Sequence, residues 1–326
     1  MRRRRIALLA VAALGLAPGT FVRETPPAPD YRSPVRIAPL SVAPLKSGPL
    51  TLAGAWVLTS ENDHFGGYSA LIDRGDGTFL AASDAGRLMI LPRPDRPGPR
   101  PFPRLGQFID FSRVDKVHVD IESLARNPAS GEIWAGLEWA NAIIRFGPAL
   151  QRRREVRPAA MEEWESNGGP ESLVRLADGR FLVIEESRAE TGGHEALVFT
   201  GDPTRGGKPR RLMLQGLPGH HPADATLLPD GRILIVMRQL HWELPLRFSA
   251  TLVIADPARI GADATLPITP LAPVGRPLPS DNYEGAAVTL ERDGNWAIWL
   301  ISDDNFVSFQ RTLLVKLIWP QSTPAP

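Results

Sequence analysis

Five polar residues open five similar phrases of the sequence, at intervals close to fifty residues. They are Ser69, Glu122, Glu171, Asp224 and Glu284, which lie 53, 49, 53 and 60 residues apart. Carboxylates gathered in one place suit Ca²⁺, because this cation takes six to eight hard oxygen ligands. Without a metal, one carboxylate of a close pair has a raised pKa and can act as a general acid or base. Either chemistry requires a fold that brings the five phrases together.

Each phrase also ends in a charged residue, at an odd distance from a glycine in its middle. The distance is seven residues in four copies and nine in the fifth. Because the two distances differ by two residues, the charged end lies on the same face of its strand in every copy. Strand periodicity alone does not require a charge there. The charged ends are Asp84, Glu138, Glu185 or Glu186, Arg238, and Asp303 or Asp304.

Between these polar residues each phrase has the pattern of a β-hairpin. Asp-Gly pairs begin at Asp76, Asp178, Asp230 and Asp293, and Ser130-Gly131 replaces the pair in the second copy. Asp-Gly between two apolar runs is a strong hairpin signal, because the turn requires positive φ angles. The second run of each phrase is almost continuously apolar, which is typical of strands buried on both faces.

A period near fifty residues built from short strands and turns is typical of an all-β protein with the β-propeller fold. The sequence predicts third strands at 87–91, 142–146, 195–200, 249–255 and 312–319, and fourth strands at 102–109, 152–157, 210–215 and 266–271. The fifth unit ends after its third strand, so we expect the N-terminal strand at 50–58 to complete it and close the ring. This gives five four-stranded blades. A sixth, irregular blade within 84–120 or 239–281 is the alternative.

The propeller predicts that the two sets of polar residues meet at one end of the molecule. First strands line the central channel, so the five openers are expected to ring its mouth, and the charged ends to form a second ring just outside. The glycine turns then lie at the opposite rim. The loops before the first strands add His64, His118, His220 and His221 to the mouth.

The N-terminus has the composition of an export signal. Four arginines at residues 2–5 precede an apolar run over 6–17 and small residues through Gly19, which predicts a secretory signal at 1–19 and a periplasmic or secreted protein. An uncleaved membrane anchor is the alternative, although the run is short for a bilayer span. A Pro-rich lead-in at 20–49, a single propeller domain at 50–320 and a tail at 321–326 are expected to follow.

Composition excludes several classes of function. The chain has no cysteine, which excludes disulfides, thiolate metal sites and a cysteine nucleophile. The formal net charge is +1, and residues 2–5 contribute four positive charges, so the remainder carries about −3 and nothing indicates nucleic-acid binding. No G-x-S-x-G elbow, phosphate-binding loop or dinucleotide fingerprint occurs. We expect a monomer without a stable membrane span after signal cleavage.

Several phrases resemble a known family. DIESLA, GGPESL, HPADATLLPDGR and, above all, NYEGAA with SDDN and QRTLL are similar to the phytase-like family with esterase-like activity, whose members are secreted or periplasmic bacterial proteins. The resemblance covers about 50–319, almost the whole mature chain. It implies a hydrolytic activity on an ester or phosphoester, and a mouth chemistry related to that of calcium-dependent propeller phytases.

The candidate site residues follow from the two rings. As acid–base or other catalytic groups we expect Glu122, Glu171, Glu284 and Asp303. As ligands of Ca²⁺ we expect Glu122, Glu171, Asp224, Glu284, Asp303 and Asp304. For contacts with the substrate we expect Arg238, Arg311 and His221, although each arginine has a second interpretation as the partner of neighbouring carboxylates. Structural hydrogen bonds to neighbouring blades are the alternative role for each opener.

Three functions are compatible with these residues. The first is a hydrolase that acts on a small-molecule ester or phosphoester with Ca²⁺ at the mouth. The second is a non-catalytic propeller that binds a ligand or partner, and the third is a lactonase-like metalloenzyme with a similar acidic channel. Phytate is a poor candidate substrate, because a hexaphosphate needs several cations and the predicted rim offers few beyond Arg238 and Arg311.

Overall fold

The computed structural model describes residues 34–62, 65–98, 103–108, 120–188, 192–243, 246–260, 263–307 and 310–321. These residues belong to one compact unit, residues 31–326. They form β-strands joined by turns, with only single-turn 3₁₀ helices between them. Within the described ranges there is no helix of the length and apolarity needed to cross a membrane.

Five sheets form the blades of a β-propeller, and the first strand of each blade contacts the first strands of its neighbours around the ring. Blade 1 contains β4 (Tyr68–Asp73), β5 (Thr78–Ser83), β6 (Arg87–Pro92) and β7 (Arg104–Gln107). Blade 2 contains β8 (Ile121–Arg126), β9 (Ile133–Leu137), β10 (Ala142–Phe146) and β11 (Arg152–Val156). Blade 3 contains β12 (Pro170–Arg175), β13 (Phe181–Arg188), β14 (His194–Phe199) and β15 (Arg210–Leu214). Blade 4 contains β16 (His221–Leu227), β17 (Ile233–His241), β18 (Arg247–Ala255) and β20 (Ile268–Val274).

Blade 5 joins strands from both ends of the chain. It contains β21 (Asn282–Leu290), β22 (Trp296–Asp303), β23 (Thr312–Trp319) and the N-terminal strand β3 (Leu50–Thr59). Strand β3 pairs antiparallel with β23, from Thr312 opposite Leu58 to Ile318 opposite Thr51. Two further strands, β1 (Arg36–Pro39) and β2 (Lys46–Ser47), pair with β3. The predicted five blades and the predicted closure by an N-terminal strand are confirmed.

The outer strand of blade 4 lies slightly later than the sequence predicts. The prediction was 266–271, whereas β20 covers Ile268–Val274. The preceding residues form β19 (Thr265–Leu266), which pairs in parallel with β15 of blade 3. The apolar run at this point therefore serves two blades, and sequence pattern alone does not separate the two strands.

The apolar core is divided among the five interfaces between neighbouring blades. One cluster of buried side chains lies between each adjacent pair, including the pair of blades 5 and 1 that closes the ring. The apolar runs of the second strands are buried, and every residue of β22 is buried. Burial on both faces explains why these runs are apolar throughout.

The hairpin turns have the geometry that their sequences require. Gly77, Gly131, Gly179, Gly231 and Gly294 all have φ between 73° and 89°, a region that glycine enters without steric cost. In four of the turns the preceding aspartate accepts the backbone N–H two residues after it, as Asp178 does from Arg180 at 3.0 Å. These turns lie at the rim opposite the acidic residues.

Candidate functional site

Each first strand contains a β-bulge at the mouth of the channel. In blade 5 Tyr283 pairs with Ser302 and Gly285 pairs with Ile301, so Glu284 is the extra residue. The equivalent bulged residues of blades 1 to 4 are Ser69, Glu122, Glu171 and Ala223. A bulge redirects the extra side chain away from the normal alternation of the strand. Three of the five bulges therefore present a glutamate at the mouth.

The bulged glutamates are buried and interact with one another. Glu122 and Glu284 are 9 % exposed and Glu171 is 6 % exposed. Burial raises the pKa of Glu122 well above its ordinary value, and the negative charges of Glu171, Asp120 and Glu284 raise it further. Burial likewise raises the pKa of Glu171, with Glu186 and Glu138 as the next causes. The sequence prediction that these three residues meet is therefore supported by their electrostatic coupling.

Asp224 does not occupy the bulge position, because it lies one residue later, after Ala223. Its carboxylate accepts the backbone N–H groups of Ala225 at 2.8 Å and Ala286 at 2.7 Å, and a third backbone bond comes from Leu71. The three donors belong to blades 4, 5 and 1. Asp224 thus connects three blades below the mouth through backbone bonds, which is the structural role considered for the openers.

The charged ends of the second strands occupy equivalent positions in all five blades. Each lies opposite the residue two positions before the bulged residue, as Asp303 lies opposite Asn282 and Arg238 opposite His221. The corresponding residues of blades 1 to 3 are Asp84, Glu138 and Glu186. Their backbone N–H groups donate to the backbone oxygens of Gly67, of Asp120, and of Gly168 and Gly169. The spacing of seven or nine residues from the turn glycine therefore reflects a constant position in the fold.

The two acidic pairs in the sequence each contribute one residue to the mouth. In blade 3 Glu186 pairs with Arg238, whereas Glu185 lies on the other face, near Glu195 and Arg211, where burial raises its pKa to about 7. In blade 5 Asp303 belongs to the mouth. Burial, together with the charges of Glu284 and Asp84, raises the pKa of Asp303 to about 9.

Asp304 organises the loop after β22. Its carboxylate accepts the N–H groups of Gly67 and Phe306, each at 3.1 Å, and the hydroxyl of Thr312 at 2.9 Å. Asn305 and Phe306 both have positive φ angles, 48° and 52°. Carboxylate bonds to this turn explain how the loop retains a conformation that costs free energy in non-glycine residues.

Arg238 is the cation at the centre of the described acidic residues. Its guanidinium forms ion pairs with Glu284 and, at 2.5 Å, with Glu186, and Nη1 lies 3.4 Å from Oδ1 of Asn282. Burial disfavours the charged form, but the charges of Glu284, Glu186 and Glu171 outweigh it and hold the Arg238 pKa above its usual value. Arg238 is therefore already engaged by carboxylates, in agreement with its second interpretation from the sequence.

Two overlapping groups of carboxylates have the spacing of a cation site. One is Asp120, Glu122 and Glu138, the other is Glu138, Glu171 and Glu186, and in each group the ligand oxygens all lie within 4.8 Å of one another. Two oxygens bound to one Ca²⁺ at about 2.4 Å are at most about 4.8 Å apart, so the spacing fits this ion. Glu138 is the residue common to both groups. Burial and, after it, the charge of Asp120 raise the pKa of Glu138 to about 7. Crowding of this kind is relieved when a cation binds.

Among the predicted metal ligands, Glu122 and Glu171 belong to these groups. Glu284 interacts with Arg238 and accepts the Asn282 side-chain amide at 2.7 Å. Asp303 accepts the N–H of Asn305 at 2.7 Å. Glu284 is close enough to Glu122 and Glu171 for its charge to raise their pKa values, and Asp303 lies near Glu284 and Asp84. Asp224 and Asp304 bond to backbone as described above.

The remaining substrate-binding candidates make other contacts. Nδ1 of His221 lies 3.3 Å from the backbone oxygen of Glu186, and its ring packs against His194 with the centroids 5.9 Å apart. The Arg311 side chain lies 3.7 Å from Asp281 and is half exposed, so its acidic partner is Asp281 in place of the predicted Asp303 and Asp304. His220 contacts Thr251 of β18, and His64 and His118 lie outside the described residues.

Sequence reasoning missed Asp120 and Asn282. Both precede a bulged glutamate by two residues, and both lie opposite a member of the second ring. The strand pattern gives the signal, because residues two apart on a strand normally share a face. The bulge obscures this signal, because the glutamate is itself the extra residue and interrupts the alternation of faces between the two positions.

A comparison with known protein families assigns a family. A family model described as "Phytase-like: Esterase-like activity of phytase" matches residues 63–306. Comparison with curated proteins gives no match.

Similar solved structures include a gluconolactonase of Xanthomonas campestris, which is 12 % identical, covers 87 % of this chain and 98 % of that chain, and has a TM-score of 0.48. A luciferin-regenerating enzyme is 11 % identical over 79 % of this chain and 95 % of that chain, with a TM-score of 0.44. These likenesses are too weak to support an inference about activity. The family match extends over most of the sequence, and the chain therefore belongs to the phytase-like family, described by its esterase-like activity.

Proposed function

We propose that the protein is a hydrolase that cleaves a small-molecule ester at the acidic mouth, with Ca²⁺ held by the carboxylates centred on Glu138. The supporting observation is the presence at the mouth of four bulged or strand-end carboxyls whose pKa values are raised, Glu122, Glu138, Glu171 and Asp303. Structural needs alone do not require so much like charge in one place. Perturbed carboxyls in a cluster are typical of functional sites.

The donor set fits calcium. Asp120, Glu122, Glu138, Glu171 and Glu186 are all hard oxygen donors, and carboxylates bind Ca²⁺ in either a monodentate or a bidentate manner. Bound Ca²⁺ would polarise the carbonyl or phosphoryl oxygen of a substrate and lower the pKa of a water molecule. Glu138 would belong to the coordination of either group, so we expect its loss to weaken binding more than the loss of any other single ligand.

Asp303 is the residue best suited to proton transfer. It lies near Glu284 and Asp84 at the mouth and is 4 % exposed, and its pKa of about 9 keeps it protonated at neutral pH. A protonated carboxyl in this position can donate its proton to the oxygen of the leaving alcohol, which is general acid catalysis. Asn305 fixes one oxygen of Asp303 through its N–H and thereby orients the carboxyl.

Arg238 is proposed to position the acidic residues. It holds Glu284 and Glu186 from opposite sides, so both carboxylates have a defined orientation. An anionic substrate would have to compete with these carboxylates for the guanidinium. For this reason an uncharged ester fits the mouth better than a polyphosphate such as phytate.

The test is hydrolysis of p-nitrophenyl butyrate by protein stripped of divalent ions and then supplied with calcium. We expect calcium to restore activity, and Asp303→Asn and Glu284→Gln to lower kcat by about a hundredfold or more, the effect typical for loss of an acid–base group. Glu185→Gln is the matched control, because Glu185 is also a buried glutamate at the end of β13 but faces away from the mouth.

Failure of the wild-type protein to hydrolyse this ester and p-nitrophenyl phosphate, with or without calcium, would overturn the proposal. That result, combined with tight binding of calcium or of another ligand, would identify a non-catalytic binding propeller. Equal loss of activity in Glu185→Gln and Asp303→Asn would also count against it, because the effect would then come from general destabilisation.

A further inference from the structure

The central channel has a second opening at the rim of the hairpin turns, opposite the acidic mouth. It is a cavity of about 460 Å³ lined by the final residues of the first strands and the turns that follow them. Its apolar lining includes Ile72, at 8 % exposure, and the half-buried side chains of Leu227 and Val288. The cavity is therefore a cup with an apolar interior that opens to solvent at one end.

The base of the cup is closed by the layer of residues that contains Asp224. The carboxylate of Asp224 connects the backbones of blades 4, 5 and 1 at this level. In the same layer a Cβ atom placed on Gly285 would lie 2.8 Å from backbone atoms of Ala70 and Leu71, so the strands approach one another as closely as glycine allows. A ligand in the cup is thus separated from the acidic mouth.

The rim of the cup carries two arginines on neighbouring blades. Arg126 ends β8 and Arg175 ends β12, at equivalent positions of their hairpins. Both side chains are half-buried, and within the part of the chain that the structure describes neither donates a hydrogen bond nor forms an ion pair within 4 Å. Elsewhere in the described chain the buried Arg93 and the half-buried Arg145 and Arg238 all pair with carboxylates.

One carboxylate limits the charge that the rim can accept. Asp73 ends β4 at the equivalent position of blade 1, where its Oδ1 accepts the N–H of Gly75 at 3.1 Å. Arg93 and Arg126 lie close enough to act on its charge. With Asp73 ionised, the rim has one net positive charge, which matches a monoanion better than a phosphate ester that carries nearly two negative charges.

We propose that this cup binds a small organic monocarboxylate, with its carboxylate between Arg126 and Arg175 and its hydrocarbon part against Ile72, Leu227 and Val288. Guanidinium groups bind carboxylates through paired charge-assisted hydrogen bonds, and the apolar wall removes the hydrocarbon from water. The site is independent of the proposed hydrolysis at the mouth, because it uses other residues at the other end of the channel.

The test is a titration of the purified protein with butanoate, hexanoate and octanoate. Binding is measured by calorimetry and by the changes in amide chemical shifts. We expect saturable binding that becomes about fourfold tighter with each added methylene until the cup is full. The shifts should be largest at Ile72, Leu227 and Val288 and absent at Glu122 and Glu171. This mapping uses the wild-type protein, so it does not depend on the folding of any variant.

Substitution of the arginines provides the second readout. Arg126→Gln and Arg175→Gln should each weaken hexanoate binding about tenfold or more, as expected for loss of a charge-assisted hydrogen bond. Arg232→Gln is the matched control, because Arg232 is on the same rim but pairs with Asp230 in its own turn. Hexylamine should not bind.

Several results would overturn the proposal. They are the absence of saturable binding for all three acids, shifts located at the acidic mouth, and unchanged affinity in both Arg126→Gln and Arg175→Gln. Equal binding of hexylamine would also overturn it, because the arginines would then play no part.

Discussion

Arg238 takes the place, in blade 4, of the acidic residue that the other blades carry at the end of their second strands. Blade 4 is also the blade whose first-strand bulge carries no polar side chain, since Ala223 occupies that position. The side chain of Arg238 reaches the carboxylates of blades 3 and 5. The two departures from the repeat are therefore one feature, a cation placed among acids that would otherwise repel one another.

Replacement of Arg238 tests this interpretation. Arg238→Gln leaves Glu186 and Glu284 buried without their counter-charge, and loss of one partner of a buried ion pair costs about 3 kcal/mol. We expect the free energy of unfolding, measured by urea denaturation without calcium, to fall by about that amount. Arg232→Gln, which removes an exposed pair with Asp230, should change it by less than about 1 kcal/mol.

Calcium should partly correct the defect in Arg238→Gln, because a second cation can replace the missing charge. The variant is therefore expected to gain more stability from calcium than the wild-type protein gains. A variant as stable as the wild type without calcium would show that the ion pairs of Arg238 contribute nothing.

At the scale of the strands, the bulge in each first strand decides which side chain reaches the mouth. The alignment of the five openers from sequence was correct in four blades and displaced by one residue in blade 4. Asp224 is the first acidic residue of its phrase, but Ala223 is the residue that precedes the turn aspartate by seven positions, as Ser69 and Glu171 do in their blades. The sequence prediction chose the polar residue as the opener of blade 4, whereas the distance to the turn aspartate identifies the residue at the bulge.

Other parts of the site depend on which face of a strand a residue occupies. The choice between Glu185 and Glu186 could not be made from sequence, because both follow the same apolar run. The register of β13 decides it, with Glu185 opposite Pro170 and Glu186 one residue further along. By contrast, the five blades, the hairpins and the closing strand were predictable, because each rests on a local pattern of turns and apolar runs.

Gly285 provides a test of how closely the first strands approach one another. A Cβ atom at this position would lie 2.6 Å from Cγ2 of Ile301 and 2.8 Å from backbone atoms of blade 1. Gly285→Ala should therefore lower the free energy of unfolding by about 1 to 3 kcal/mol, as overpacking in a core does. Gly201→Ala, at a site with no atom within 4 Å of the added Cβ, is the control. Equal stability of the two variants would contradict this account of the strand packing.

At the scale of the whole molecule, closure of the ring joins the two ends of the propeller domain. Strand β3 completes blade 5, and an apolar cluster links blade 5 to blade 1. At this seam Lys316 donates to Asp95 at 2.6 Å and to Glu291 at 3.0 Å, and Arg93 bonds to the same two carboxylates. The closed ring holds the five bulges in fixed positions around the channel, so the acidic residues cannot relieve their repulsion by moving apart.

The acidic mouth should therefore make the stability of the whole molecule depend on pH. Glu138 and Asp303 have folded-state pKa values of about 7 and about 9, above their values in an unfolded chain. The folded state then binds more protons than the unfolded state, so these groups stabilise the fold at low pH and lose that contribution as the pH rises through their folded pKa values. We expect the Tm of the calcium-free protein to fall between about pH 5 and pH 9.

Calcium should reverse this trend, because it binds the deprotonated carboxylates. The increase in Tm produced by calcium is expected to be larger at pH 9 than at pH 5. A Tm of the calcium-free protein that rises over this range would show that the carboxyls at the mouth are not protonated in the folded state.

The most direct test of the account is to locate calcium in crystals of the protein grown or soaked with millimolar calcium, by anomalous diffraction. We predict a peak at the mouth, with an oxygen of Glu138 and oxygens of Glu122 or Glu171 at about 2.3 to 2.6 Å. The peak should be absent from crystals of Glu138→Gln and present in crystals of Glu185→Gln. A mouth without a calcium peak under these conditions, in crystals where the carboxylates of Glu138, Glu122 and Glu171 are well ordered, would contradict the proposed site.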